Sequence, residues 1–181
     1  MTQEKIKSIC ITAIFTAVIC VMAPFSIVIG SLVPLSLATF AVYLTAGTLD
    51  MKNSVTAVTV YILLGAIGLP VFSSFSGGFQ KIVGVTGGYI IGYIPLALIV
   101  SLLLKHNRKK WMYPISMVAG TVVLYTFGTI WFILQTKGTV GSAMLSCVVP
   151  FLPGDAVKIA AASVISMGIR KRIEKFISKT K

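Results

Sequence analysis

From Ser8 to Leu49 the chain carries no charged residue. One membrane crossing takes roughly 20 apolar residues, so this run holds two crossings and cannot supply a soluble surface. Gly30, Ser31 and Pro34 punctuate it, which predicts helices at about Ile6–Ile29 and Leu32–Leu49. Four more apolar segments follow, at Ser54–Leu69, Val85–Leu104, Met112–Gln135 and about Pro153–Ile169. Six helices use most of the 181 residues, so residues 1–181 are expected to form one all-α, six-helix transmembrane domain.

Composition excludes the other classes. Charged residues are 11% of the chain against about a quarter in a soluble domain, and mean hydropathy is +0.97. A nucleic-acid binder reaches a net charge of +12 with abundant charge, not with scarce charge, and a disordered chain is poor in apolar residues. Lipid admits only helices and closed barrels, and unbroken apolar runs exclude barrel strands. The first helix is longer than the roughly 7–15-residue core of a cleavable signal peptide. Cys10, Cys20 and Cys147 show no paired spacing and read as buried thiols. His106 has no second ligand nearby in sequence, so no metal is expected.

Charge placement sets the expected orientation. With six crossings and a cytoplasmic N-terminus, the cytoplasmic segments hold Lys5, Lys7, Lys52, the Lys105–Lys110 cluster and the basic tail after Ile169. That is thirteen of the sixteen Lys and Arg, while the external loops hold only Lys81 and Lys137. Such a bias is the positive-inside signal, with both termini cytoplasmic in a multi-pass cell-membrane protein. The cluster reads as a topology anchor that also touches anionic lipid, with Trp111 and Tyr113 as an interfacial belt beside it.

The remaining cation, Lys158, falls inside the last span, three residues after Asp155. On a helix they share a face. Each alone would cost roughly 2.5–3.5 kcal/mol at the centre of a spanning helix. They are either an internal ion pair fixing that helix or a polar anchor for a substrate. Pro150 and Pro153 block earlier helix propagation, and Pro153–Ile169 reaches about 25 Å at 1.5 Å per residue. The helix therefore starts below the outer surface, which puts the pair within reach of an external substrate.

A second constellation runs from Ser73 to Tyr89 and contains five glycines. Long connections in compact bundles are often functional, and glycine allows close backbone approach to a ligand. Ser74 and Thr86 offer hydroxyls, and Tyr89 and nearby Phe residues offer aromatic faces; the alternative is a flexible hairpin. Thr86–Gly87–Gly88–Tyr89 is not a phosphate loop, because no Gly-Lys-Ser/Thr follows. Ala13 and Ala17 form a small-xxx-small pair on the first helix, a weak signal for close helix approach. Gly120, Gly128 and the Tyr125–Trp131 stretch read as packing.

Together these residues resemble a known family. Gly68–Leu69–Pro70–Val71–Phe72, Ser76–Gly77–Gly78, Thr86–Gly87–Gly88–Tyr89–Ile90–Ile91–Gly92, Tyr125–Thr126–Phe127–Gly128–Thr129–Ile130–Trp131 and Pro150–Phe151–Leu152–Pro153–Gly154–Asp155–Ala156–Val157–Lys158–Ile159 are similar to the blocks of BioY proteins. These are the biotin-binding S components of energy-coupling factor (ECF) vitamin transporters. The family more often has Pro at the position of Val85, and often Asn at that of Ser74.

The resemblance implies biotin as the transported ligand, with no cofactor. Asp155 and Lys158 would meet its ureido head, as acceptor and donor. Ser74, Thr86, Gly87, Gly88, Tyr89 and Trp131 would form the rest of the site, the apolar tail needing apolar and aromatic walls. Ala13 and Ala17 would meet the transmembrane coupling subunit, and two separate ATPase subunits would hydrolyse ATP. This chain would then be no enzyme, and it would tilt in the membrane to release its ligand. The alternatives are an S component for riboflavin or thiamine, a stand-alone transporter using Asp155 as a proton site, and a structural membrane protein without a ligand.

Overall fold

The computed structural model describes residues 3–27 and 35–178. Helix α1 spans Gln3–Met22. It ends well before the expected Ile29, because Pro24 has no amide hydrogen to continue the ladder. Strand β1 (Ser26–Ile27) then pairs antiparallel with β2 (Leu35–Ser36), so these residues belong to a hairpin and not to either predicted helix. The punctuating Gly30, Ser31 and Pro34 lie outside the described residues.

Helix α2 (Ala38–Thr48) is shorter than expected and buried almost all round. A helix with polar residues on no face belongs in the interior, and α2 is the central helix of the bundle. Helix α3 spans Met51–Ala66, and its chain turns away at Gly68, where φ is +107°. That conformation, with Pro70 just beyond, ends the helix ahead of the expected Leu69.

The Gly/Ser-rich connection has more structure than expected. A single 3-10 turn at Ser73–Phe75 is followed by the short helix α4 (Phe79–Val83). Helices α5 (Gly87–His106) and α6 (Met112–Thr136) match their predicted positions within two residues. Helix α7 (Val140–Cys147) was not anticipated. Helix α8 (Leu152–Ser178) runs well beyond Ile169. Apolar content reports contact with lipid, whereas Lys and Arg are good helix formers that carry the helix onward.

Among the described residues, four helices are long and apolar enough to cross a membrane: α1, α5, α6 and the Leu152–Ile173 part of α8. Helix α2 is only 11 residues long, about 16 Å, and α3 has 16 residues. Neither meets that length alone.

The relative directions of the helices follow from their contacts. Ser8 meets Asn53 and Thr16 meets the Ala57 carbonyl, so α1 and α3 run parallel. Thr39 meets Lys158 and Gly47 meets Arg170, so α2 and α8 also run parallel. Helices α5 and α6 are antiparallel and close at four glycines. A Cβ at Gly88 would overlap Trp131, at Gly92 Leu124, at Gly120 Val100 and at Gly128 the Tyr89 ring. Small residues let membrane helices approach in this way, so Gly120 and Gly128 are packing residues as expected. Of the three thiols only Cys147 is fully buried; Cys10 is exposed on the lateral face of α1. Trp111 is exposed beside the basic loop, but Tyr113 is buried in the core and is no surface anchor.

Candidate functional site

Helix α8 begins where the chain leaves Pro150, and its first turns carry Asp155 and Lys158. Asp155 is 3% exposed. The Lys158 ammonium lies 3.0 Å from Asp155 Oδ1. It also donates to the Ser36 carbonyl at 2.8 Å and to Thr39 Oγ1 at 3.0 Å. Its three hydrogens are thereby matched to three acceptors. The second carboxylate oxygen accepts from the Tyr125 hydroxyl at 2.6 Å. Two opposite charges thus sit in the bundle interior with a network of hydrogen bonds around them, the condition under which a buried pair is tolerated.

Lys158 stands between two cavities. On one side is a polar slot of about 30 Å³, lined by Thr39, Tyr89, Tyr93, Tyr125, Phe151 and Asp155 along with Ser36 and Lys158. A slot of that size has room for about one water. On the other side is an open cleft of about 620 Å³, walled by Pro24, Phe25, Leu37, Ser74 and Phe75 and sharing Ser36 and Lys158 with the slot. Small-molecule sites occupy roughly 300–1,000 Å³, so of the two cavities at Lys158 the cleft has room for a ligand.

The cleft's far wall is held by hydrogen bonds between distant segments. The Ser74 hydroxyl meets Ser26 Oγ at 3.0 Å, and its amide donates to the Pro24 carbonyl at 2.9 Å. The rings of Phe25 and Phe75 stack edge-to-face with centroids 5.6 Å apart. Ser74 and Phe75 both have left-handed backbones, with φ of 59° and 53°. Such conformations are uncommon outside glycine and cluster at ligand clamps.

The structure gathers some of the expected residues and separates others. Asp155 and Lys158 are together, Tyr89 lines the slot, and Ser74 lines the cleft. Thr86, Gly87, Gly88 and Trp131 line neither cavity. Thr86 is the N-cap of α5, its carbonyl accepting from Tyr89 and Ile90. A Cβ at Gly87 would overlap the Ile82 carbonyl, and Gly88 packs on Trp131. Trp131 Nε1 donates to the Gly84 carbonyl at 2.9 Å, tying the glycine loop to α6. Ala13 and Ala17 are exposed in an apolar groove of about 720 Å³ between α1 and α3.

Four polar neighbours of the pair were not anticipated. Ser36, Thr39 and Tyr93 carry no charge and fall in no distinctive spacing. Tyr125 lay inside a recognised block, but its position on α6 read as packing.

A family model described as the BioY family matches residues 1–175. The chain is 38% identical over 137 residues to the biotin transporter BioY of Thermotoga maritima, covering 75% of this chain and 80% of that one. It is 30% identical over 179 residues to the biotin transporter BioY of Rhizobium etli, covering 90% and 92%. The 2.1 Å crystal structure of the S-component for biotin from an ECF-type ABC transporter superposes with a TM-score of 0.87 at 28% identity, covering 94% of this chain and 95% of that one. Near-complete coverage in sequence and in fold leads to one assignment: the chain belongs to the BioY family.

Proposed function

We propose that this chain is the biotin-binding membrane subunit of an ECF-type ABC transporter. The reading rests on family membership and on one observation above all. Lys158, paired with the buried Asp155 in the slot behind it, is presented to a cleft large enough for a vitamin. A carboxylate and an ammonium are the acceptor and donor that a ureido head requires. In this reading the body of biotin lies in the cleft beside Ser74. Lys158 exchanges one of its protein acceptors for the ligand carbonyl, and Tyr89 and Tyr125 line the slot behind the pair. Thr86, Gly87, Gly88 and Trp131 support the site by fixing α5, α6 and the glycine loop.

The chain is a transport subunit, not an enzyme, and needs no cofactor of its own. It forms one domain that crosses the cell membrane six times, as α1, α2, α3, α5, α6 and α8. The helix directions are consistent with that alternation. The short α2 is shielded by its neighbours and needs no lipid contact. The end bearing Lys52, Lys105, Arg108 and Arg170 faces the cytoplasm. The groove carrying Ala13 and Ala17 is the surface for the transmembrane coupling subunit, through which two ATPase subunits drive uptake. Titration of biotin into the detergent-purified chain tests the reading; absence of saturable binding would refute it.

A further inference from the structure

Beyond the end of α6 the chain turns back into the bundle. Helix α6 closes at Thr136, Lys137 turns the backbone with φ of 53°, and α7 packs against α6 with Ala143 and Cys147 buried. One side chain fixes how far α7 returns. The Tyr89 hydroxyl lies 3.3 Å from Thr129 Oγ1 and 3.5 Å from the Cys147 carbonyl, so Cys147 stands beside Thr129. Thr129 is about 10 Å short of the end of α6, and the 8 residues of α7 cover about 12 Å. Helix α7 therefore runs back down the side of α6. Asp155 then meets Tyr125, one turn deeper on α6, so α8 continues in the same direction.

That level lies inside the membrane. The 25 residues of α6 reach about 37 Å, roughly 7 Å more than a hydrocarbon core of about 30 Å. Even with all of that excess on the outer side, Thr129 and Cys147 remain within the core.

The chemistry of the segment fits this depth. From Gly138 to Gly154 the sequence holds no charged residue. Val140, Met144, Leu145 and Val149 are exposed, Leu145 at 69%, and a Cβ at Gly141 would meet nothing within 4 Å. The exposed Ser142 hydroxyl donates to the Thr139 carbonyl at 2.8 Å. In the break before α8, the amides of Val148 and Val149 both donate to the Met144 carbonyl, and those of Phe151 and Leu152 to the Val148 carbonyl. Pro150 has no amide hydrogen. A loop in water can leave such donors to solvent, whereas at membrane depth they must be satisfied within the protein.

We propose that α7 and Val148–Phe151 are the outer part of a broken sixth span that α8 completes, with Met144, Leu145 and Val149 facing lipid acyl chains of the outer leaflet. An exposed apolar face without a charged rim suits hydrocarbon and not water. The break falls at the polar anchor, since Phe151 lines the slot with Asp155, and broken membrane helices form transporter sites in this way. The proposal rests on the six-crossing reading above, not on the identity of the vitamin.

The test places single spin labels on the full chain in phosphatidylcholine liposomes, in a Cys10→Ser, Cys20→Ser, Cys147→Ala background that binds biotin. Collision with oxygen, which concentrates in lipid, is compared with collision with a water-soluble nickel chelate. Leu145→Cys and Val149→Cys should match Ile130→Cys, on the exposed face of α6, with high oxygen and low nickel collision. The ratio should rise from Val140→Cys through Leu145→Cys to Val149→Cys, and Lys137→Cys should show the reverse preference. In the wild-type background, which keeps all three thiols, Leu145→Trp should add fluorescence that dibrominated phosphatidylcholine quenches. Nickel collision at Leu145 and Val149 equal to that at Lys137 would overturn the proposal while Ile130 still reports lipid. Low collision with both reagents would also overturn it, because a second copy would then cover the face. So would the absence of added quenching from Leu145→Trp. Loss of lipid contact at Ile130 itself would overturn the six-crossing reading and the proposal with it.

Discussion

The Tyr125 hydroxyl on α6 donates to Asp155 Oδ2 on α8 across 2.6 Å, while Lys158 holds Oδ1 of the same carboxylate at 3.0 Å. Asp155 is therefore fixed from both sides before any ligand arrives. A preorganised carboxylate binds more tightly than one that must be ordered at the moment of binding. Hydrogen bonds to charged groups contribute about 1.5–3 kcal/mol. Tyr125→Phe should therefore weaken biotin binding by roughly 10- to 100-fold, measured by titration calorimetry, with the α-helical circular dichroism spectrum unchanged.

The ion pair should also couple in stability. Removing one partner of a buried pair costs about 3–5 kcal/mol because the other charge is left uncompensated. Lys158→Met should lower the melting temperature sharply, and so should Asp155→Asn. The double variant should be more stable than the sum of the two losses implies, by about 0.5–3 kcal/mol in a double-mutant cycle. Additive losses would mean that the two groups act independently.

The left-handed backbone at Ser74 gives a backbone test. Asn tolerates φ near +60°, whereas a β-branched residue does not. Ser74→Asn should melt within a few degrees of the wild type. Ser74→Val should lose about 1–3 kcal/mol from strain, together with the hydroxyl contact to Ser26.

The exposed groove between α1 and α3 separates binding from coupling. Ala13→Leu and Ala17→Leu point away from the core and should leave the melting temperature and biotin affinity unchanged. Both should reduce co-purification with the coupling subunit and lower uptake in cells that contain the full transporter. Gly88→Val behaves differently, because its side chain would collide with Trp131. It should destabilise the chain by about 1–3 kcal/mol.

The sequence made the centre of this site legible for an energetic reason. Two opposite charges three residues apart in an apolar helix are too costly to stand there without a partner, so Asp155 and Lys158 identified themselves. Tyr125 and Thr39 could not do so. They reach the pair only through tertiary packing, across sequence separations of 30 and 119 residues, and neither carries a charge. Apolar runs located the long helices but not their ends. Pro24 stops α1 while the hydropathy continues, and α8 continues where the hydropathy stops. The Gly87–Gly88 signal was genuine, but the close approach it permits is to Ile82 and Trp131 and not to either cavity at Lys158.

The central claim is that Asp155 and Lys158 form the polar anchor of a biotin site in this chain. Titration calorimetry of the detergent-purified protein with biotin, riboflavin and thiamine tests it most directly, alongside Asp155→Asn and Lys158→Ala variants shown to be folded. Saturable binding of biotin alone, lost or strongly weakened in both variants, is the predicted result. No saturable binding of biotin, or wild-type affinity in both variants, would contradict it.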